Sequence, residues 1–268
     1  MPGAYRARHF MKEPDMKLTF LGTGAADWEQ PDESGMIRRF SSALLDGILM
    51  LDAPATALEL LAPDALVQDV CLTHGHRDHF CLDTLKELAA RRKARGESPL
   101  IVHVEAGWAG EVSGDHIRAC PLKPLEPFQA AGYEVLPLPA NHIPRFPKER
   151  PVHYRISCGG RTLVYATDGA WMPYAAVAAL RAREPFDALV IDATIGDGHD
   201  GDYRVFEHNS LPMVRMMTQT FQATGQLKAD GRVYLTHLAR TLHPPKAELE
   251  ASLKLPYIAA VAGRTVEI

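Results

Sequence analysis

Thr73-His74-Gly75-His76-Arg77-Asp78-His79 follows directly on the apolar run at 66–72. Three imidazoles and a carboxylate within six residues supply the nitrogen and oxygen donors that borderline divalent metals prefer. On a turn leaving a strand, alternate spacing lets His74 and His76 point one way while Asp78 and His79 face a neighbouring point. A chance group of surface histidines does not account for this H-x-H-x-D-H spacing.

Four donors do not complete a two-metal site, so further donors are expected at other strand ends. Asn141-His142 follows the strand expected at 133–138, Asp168 follows Leu163-Val164-Tyr165-Ala166-Thr167, and His237 follows Val233-Tyr234-Leu235-Thr236. Each alone reads as a loop residue; with the 74–79 cluster they form a set. Asp52 closes the strand expected at 48–51, where a carboxylate can accept an N–H from a metal-bound imidazole and fix its tautomer. His103, His116, His153, His199 and His243 have no such placement and read as surface or core residues.

β-branched and alternating apolar residues predict strands at 17–21, 42–45, 48–51, 66–72, 100–104, 133–138, 152–157, 162–166, 188–193, 233–235 and 257–261. Asp46-Gly47 and Gly159-Gly160 are hairpin turns, and Gly22-Thr23-Gly24 reads as a tight turn. Helices fit 55–61, 82–94, 173–183, 211–224 and 246–253, with Pro173 and Pro245 near first turns. Hairpin-rich strands with helices interspersed, repeated about twice, predict an α/β fold of αββα type: two packed mixed β-sheets flanked by helices. One domain is expected over 16–268, after an extension at 1–15 that is either disordered or upstream of an alternative start at Met16.

The 268 residues are 46% hydrophobic and 23% charged, ordinary globular usage. No apolar run approaches the ~20 residues of a membrane span, and 1–15 lacks an apolar signal core. Four cysteines without short spacing, in a chain large enough to need no disulfide framework, point to a reducing, cytoplasmic compartment. The net charge of −4 argues against a nucleic-acid partner. The basic group Lys86, Arg91, Arg92, Lys93 and Arg95 reads as a solvated helix face. Arg145, Lys148 and Arg150 in the 144–151 loop either face a substrate or are solvated.

H-x-H-x-D-H, a later lone His142, strand-terminal Asp168 and final His237 together resemble the metallo-β-lactamase superfamily from residue 16 to 268. The resemblance implies that His74, His76 and His142 bind one metal, Asp78, His79 and His237 a second, and Asp168 bridges them. The cofactors it implies are two divalent ions per chain, zinc or manganese, with iron also compatible. Asp168 stands where the antibiotic-cleaving branch usually has cysteine. Gly22-Thr23-Gly24, Phe206-Glu207-His208-Asn209-Ser210 and Leu235-Thr236-His237-Leu238 resemble the superfamily's phosphodiesterases, most closely those that open phosphoribosyl 1,2-cyclic phosphate. In that group the residue matching His208 is a non-ligand that helps donate a proton. The competing reading is that Asn209 or Ser210 caps the helix starting at Leu211, with His208 merely adjacent. The stretch 25–35 has no cysteine, so the separate structural zinc of that family is expected to be missing.

The function so implied is hydrolysis of a small, cyclic phosphodiester by a hydroxide shared between two metals, with Asp78 and His208 catalytic. A carboxylic ester, thioester or lactone hydrolase would have the same metal core, and an RNA-processing nuclease is a third possibility. A homodimer is compatible with the resemblance. A di-iron redox protein would call for more carboxylate ligands and a flavin domain.

Overall fold

The computed structural model describes residues 16–32, 35–199 and 201–268, so the extension read over 1–15 lies outside it. The first half runs β1 (Lys17–Gly22), β2 (Ser42–Leu45), β3 (Leu49–Leu51), β4 (Asp69–Cys71), α1 (Leu82–Ala94), β5 (Leu100–Glu105) and β6 (Ile117–Leu122). Next come β7 (Phe128–Ala130), β8 (Tyr133–Pro139), β9 (Val152–Cys158), β10 (Arg161–Ala166), α2 (Tyr174–Arg181) and β11 (Phe186–Asp192). The chain ends with α3 (Leu211–Ala223), β12 (Leu227–Thr236), α4 (Lys246–Ser252), β13 (Tyr257–Ala259) and β14 (Thr265–Glu267).

The strands form two seven-stranded mixed sheets, ordered β14-β1-β2-β3-β4-β5-β6 and β13-β12-β11-β10-β9-β8-β7. The facing sides of the sheets bury Leu18, Phe20, Leu45, Leu51, Tyr154 and Tyr165 in one apolar layer. On the outer face of the first sheet, α1 sets Leu85, Leu88 and Ala89 against Val70 and Val102. On the second, α3 sets Leu211, Val214, Met217 and Phe221 against Leu189, Val233 and Leu235. Full burial of one such side chain contributes about 1.5–3 kcal/mol, so each helix is fixed by its apolar stripe. This is the αββα arrangement.

The parallel pairs β4–β5, β10–β11, β11–β12 and β12–β13 are each bridged by a helix, because a parallel pair needs a crossover. These strands therefore end at one edge of their sheet, and the 74–79 cluster, Asp168 and His237 stand after β4, β10 and β12. The Asp46-Gly47 and Gly159-Gly160 hairpins form as expected, with all four turn residues at positive φ.

Several expectations differ in detail. Residues 55–61 make one 3-10 turn, Ala55–Glu59, and the strand at 66–72 pairs with both of its neighbours only over Asp69–Cys71. β6, β7 and β14 lie outside the strands expected from sequence. β6 is mostly half-exposed and so lacks apolar alternation, and the other two are three-residue edge strands. Gly22 and Gly24 are required by contact: a Cβ on Gly22 would lie 1.8 Å from the Phe40 carbonyl oxygen. The basic group on α1 is solvated only in part, since Arg92 is buried and donates to the Val67 and Ser98 carbonyls.

Candidate metal centre

His74, His76, Asp78 and His79 lie on the turn after β4, and Asp52 ends β3 beside it. In the second sheet His142 follows β8, Asp168 follows β10 and His237 follows β12. Asp52, Asp168 and His237 all adopt left-handed backbone, φ 59°, 54° and 56°. For non-glycine residues that conformation costs roughly 1–2 kcal/mol each, and such strain concentrates where side chains must be aimed. Gly75 is fixed by packing, since a Cβ there would fall 2.4 Å from the Phe146 ring.

The side chains converge into two adjoining groups that could each hold a metal ion: His74, His76, His142 and Asp168, and Asp78, His79, Asp168 and His237. Asp168 Oδ2 is the common point, 3.1 Å from His74 Nε2, 3.3 Å from His142 Nε2, 3.3 Å from His79 Nε2 and 3.5 Å from His237 Nε2. His237 Nε2 also lies 3.2 Å from Asp78 Oδ2, and His142 Nε2 lies 3.1 Å from His76 Nδ1.

The donor chemistry fits divalent metals. His74 Nε2, His79 Nε2 and Asp168 Oδ1 are buried without a directed hydrogen bond among the described residues, an arrangement costly unless another group satisfies them. The protonation states show the same unmet charge. Burial, helped by the nearby His79, holds His74 well below the ordinary histidine range. Against its burial, Asp78 and Asp52 hold His79 well above that range. Burial would raise the Asp168 carboxyl, but His237, His142 and His208 hold it far below the usual range.

A second layer fixes the rings. His79 Nδ1 lies 2.8 Å from Asp52 Oδ2, and Asp52 Oδ1 also accepts from the Thr73 backbone N–H at 2.7 Å. His142 Nδ1 donates to the Glu207 carbonyl at 3.2 Å. His237 Nδ1 lies 2.8 Å from Thr194 Oγ1 and 3.5 Å from Asp192 Oδ2. In each case the contact engages Nδ1 and leaves Nε2 turned to the cluster.

His208 stands over both groups, its Nδ1 3.0 Å from Asp192 Oδ2 and 3.0 Å from Asp168 Oδ1. Burial lowers its pKa, but the two carboxylates outweigh that and push it up to about 11. His208 also falls in a third possible metal group with Asp168, Asp192 and His237. The helix cap is made by Ser210, whose hydroxyl accepts from Met213 N, while Asn209 binds Gly169 and Trp171 backbone. Capping and placement of His208 are thus separate tasks of neighbouring residues. Beneath these groups opens a cleft of about 210 Å³ lined by His76, Asp78, His142, Asp168, His208 and His237. Arg204 also lines it, clamped by both oxygens of Asp202 at 2.9 and 2.7 Å.

Two supporting carboxylates escaped the sequence reading. Asp192 is wholly buried at the end of β11 and also accepts from Gly169, Thr194 and Asn209 backbone N–H groups. The signal that found Asp168, an acid where an apolar strand stops, applied equally to it. Glu149 is buried under the 74–79 turn and accepts from the N–H groups of Gly75, Arg145 and Phe146. The 144–151 loop is accordingly a brace: Arg145 donates to the Gly75 carbonyl, and Arg150 pairs with buried Glu105. His153 is a core residue whose Nε2 donates to the Asp168 carbonyl, and His243 donates to the Ala193 carbonyl. Arg77 pairs with Glu29 at the surface.

No helix among the described residues is long and apolar enough to cross a membrane. No curated protein matches the sequence. Solved structures do match in fold. A diphosphatase from the PhnP family is 19% identical, with TM-score 0.72 over 95% of this chain and 98% of that one. The metallo-β-lactamase fold protein YhfI from Bacillus subtilis is 19% identical, with TM-score 0.73 over 95% and 100%. The short form of human tRNase Z is 17% identical, with TM-score 0.66 over 93% and 98%. The family model for the β-lactamase superfamily domain matches residues 42–238, a span that begins at β2 and closes just after His237. The chain belongs to the β-lactamase superfamily and has its metallo-β-lactamase fold.

Proposed function

We propose that this metal-dependent hydrolase cleaves small phosphodiesters, cyclic ones included, with two divalent metals. His74, His76 and His142 would hold one metal, Asp78, His79 and His237 the other, and Asp168 both. Metals there would supply an activated water and neutralise charge on the phosphoryl oxygens. Asp52 holds the tautomer of His79, and Thr194 that of His237. His208, anchored through Nδ1 and lining the cleft, donates a proton to the leaving oxygen.

The observation that carries the reading is the cleft itself: both donor groups and His208 share it with one guanidinium among the described residues, the already clamped Arg204. One negative charge suits that lining, whereas a monoester carries nearly two and would call for further Arg or Lys donors. The PhnP-family diphosphatase and tRNase Z, the one named for a diphosphate and the other for tRNA, share the fold. Elemental analysis tests the metal assignment. Two metals per chain are expected, with one lost in His74→Ala and both weakened in Asp168→Ala. Full retention in Asp168→Ala would refute the bridge.

A further inference from the structure

At the end of the second sheet opposite the metal centre lies a cavity of about 660 Å³. It opens at the Gly159-Gly160 hairpin, just before β10, whereas Asp168 follows the other end of that strand. The six residues of β10 put the two sites roughly 20 Å apart. Among the described residues the lining has four cations, Arg155, Arg161, Arg183 and Lys228, against two acids, Glu134 and Glu184. The whole chain carries a formal net charge of −4, so this is a local reversal of sign, and a concave positive surface concentrates anions.

The four cations are not equivalent. Arg161 and Lys228 both pair with Asp187 Oδ1, at 2.9 and 2.8 Å. Arg155 is 5% exposed, yet its hydrogen bonds go only to neutral acceptors: Ser157 Oγ at 3.1 Å, and Thr162 Oγ1 and the Glu184 carbonyl at 3.4 Å each. Its Nε is buried without a partner, and its one ion-pair contact among the described residues is loose, 4.0 Å to the half-exposed Glu134. Arg183 donates to the Ala179 carbonyl and has no ion pair among the described residues. Burial, and after it the neighbouring charge of Arg183, lower the Arg155 pKa against the pull of Glu134 and Glu184. Two guanidiniums side by side, one of them buried and poorly partnered, are costly unless an anion joins them.

We propose that this cavity binds the phosphate of a small phosphomonoester, met by Arg155 at the floor and Arg183 at the rim. Two planar forks directed at one group suit a dianion with three free oxygens. The volume exceeds what a bare phosphate fills, which leaves room for the organic part of the ester. The site stands apart from the phosphodiesterase reading, since none of these residues lines the metal cleft.

Calorimetry on the metal-loaded protein tests it, with inorganic phosphate, glycerol 3-phosphate and succinate as separate titrants. Two classes of phosphate site are expected, the metal centre and the cavity. Arg183→Ala, at a half-buried position just after α2, should weaken the cavity class by roughly tenfold or more with metal content unchanged. Arg155→Met should abolish that class; if the variant does not fold, Arg183→Ala decides alone. Glycerol 3-phosphate should occupy the cavity, and succinate should bind there at least roughly tenfold more weakly. Phosphate binding confined to the metals, or a second class untouched by Arg183→Ala, overturns the site. Succinate binding as tightly as glycerol 3-phosphate overturns the choice of phosphate, and exclusion of glycerol 3-phosphate while inorganic phosphate binds overturns the monoester.

Discussion

Asp192→Asn isolates the role given to His208. In the wild-type protein Asp192 Oδ1 accepts from the backbone N–H of Thr194 at 2.8 Å and of Asn209 at 3.1 Å. Oδ2 accepts from Gly169 N at 3.1 Å and from Thr194 Oγ1 at 3.1 Å, and faces His208 Nδ1 at 3.0 Å. An amide can keep the Oδ1 contacts, but its NH₂ then opposes the Gly169 N–H and the His208 Nδ1–H. One charge-assisted bond is lost, about 1.5–3 kcal/mol, and a buried donor is left unmet. If that bond holds His208 in place through the transition state, kcat falls roughly 10- to 100-fold. Metal content should hold, because Thr194 still engages His237 Nδ1. The assay is kcat for a diester with an alkyl leaving group, measured in the wild type, both single variants and the His208→Ala/Asp192→Asn double variant. Because Asp192 acts through His208, its effect should nearly vanish on the His208→Ala background. Equal losses on both backgrounds, or an unchanged kcat in the single variant, would refute the reasoning.

His208→Ala should keep both metals and lower turnover by roughly 10²–10⁴-fold, with a smaller loss for nitrophenyl esters, whose leaving group departs without a proton; loss of metal would make it a ligand. The metal-free protein should lose stability as pH rises. His79 and His208 have folded-state pKa values above the unfolded value of about 6.5, so their contribution is fully present below that pH and fades upward, for His208 toward about 11. A metal bound at His79 displaces its proton, so thermal melts of the loaded protein should show a smaller decline, with only the His208 part remaining. A decline of the same size with metals bound would contradict the charge accounting.

The sequence made the donors legible because each stands where an apolar strand stops, and strands long enough to alternate could be placed. Leu82–Ala94 was readable as a helix to the residue from its periodicity. The support around the donors was harder to see. Glu149 sits in a polar, proline-rich loop whose buried carboxylate depends on contact with Gly75, 74 residues away. Asp192 closes the apolar strand β11 much as Asp168 follows β10, and only the packing of His208 and His237 beside it shows what it supports.

The central claim is most directly tested by comparing kcat/KM of the zinc- and manganese-loaded protein on bis(p-nitrophenyl) phosphate, p-nitrophenyl phosphate, a lactone and a thioester. The account predicts the diester as the best substrate, with the monoester at least roughly tenfold poorer for want of cationic donors in the cleft. Faster turnover of the lactone or thioester than of the diester would contradict it.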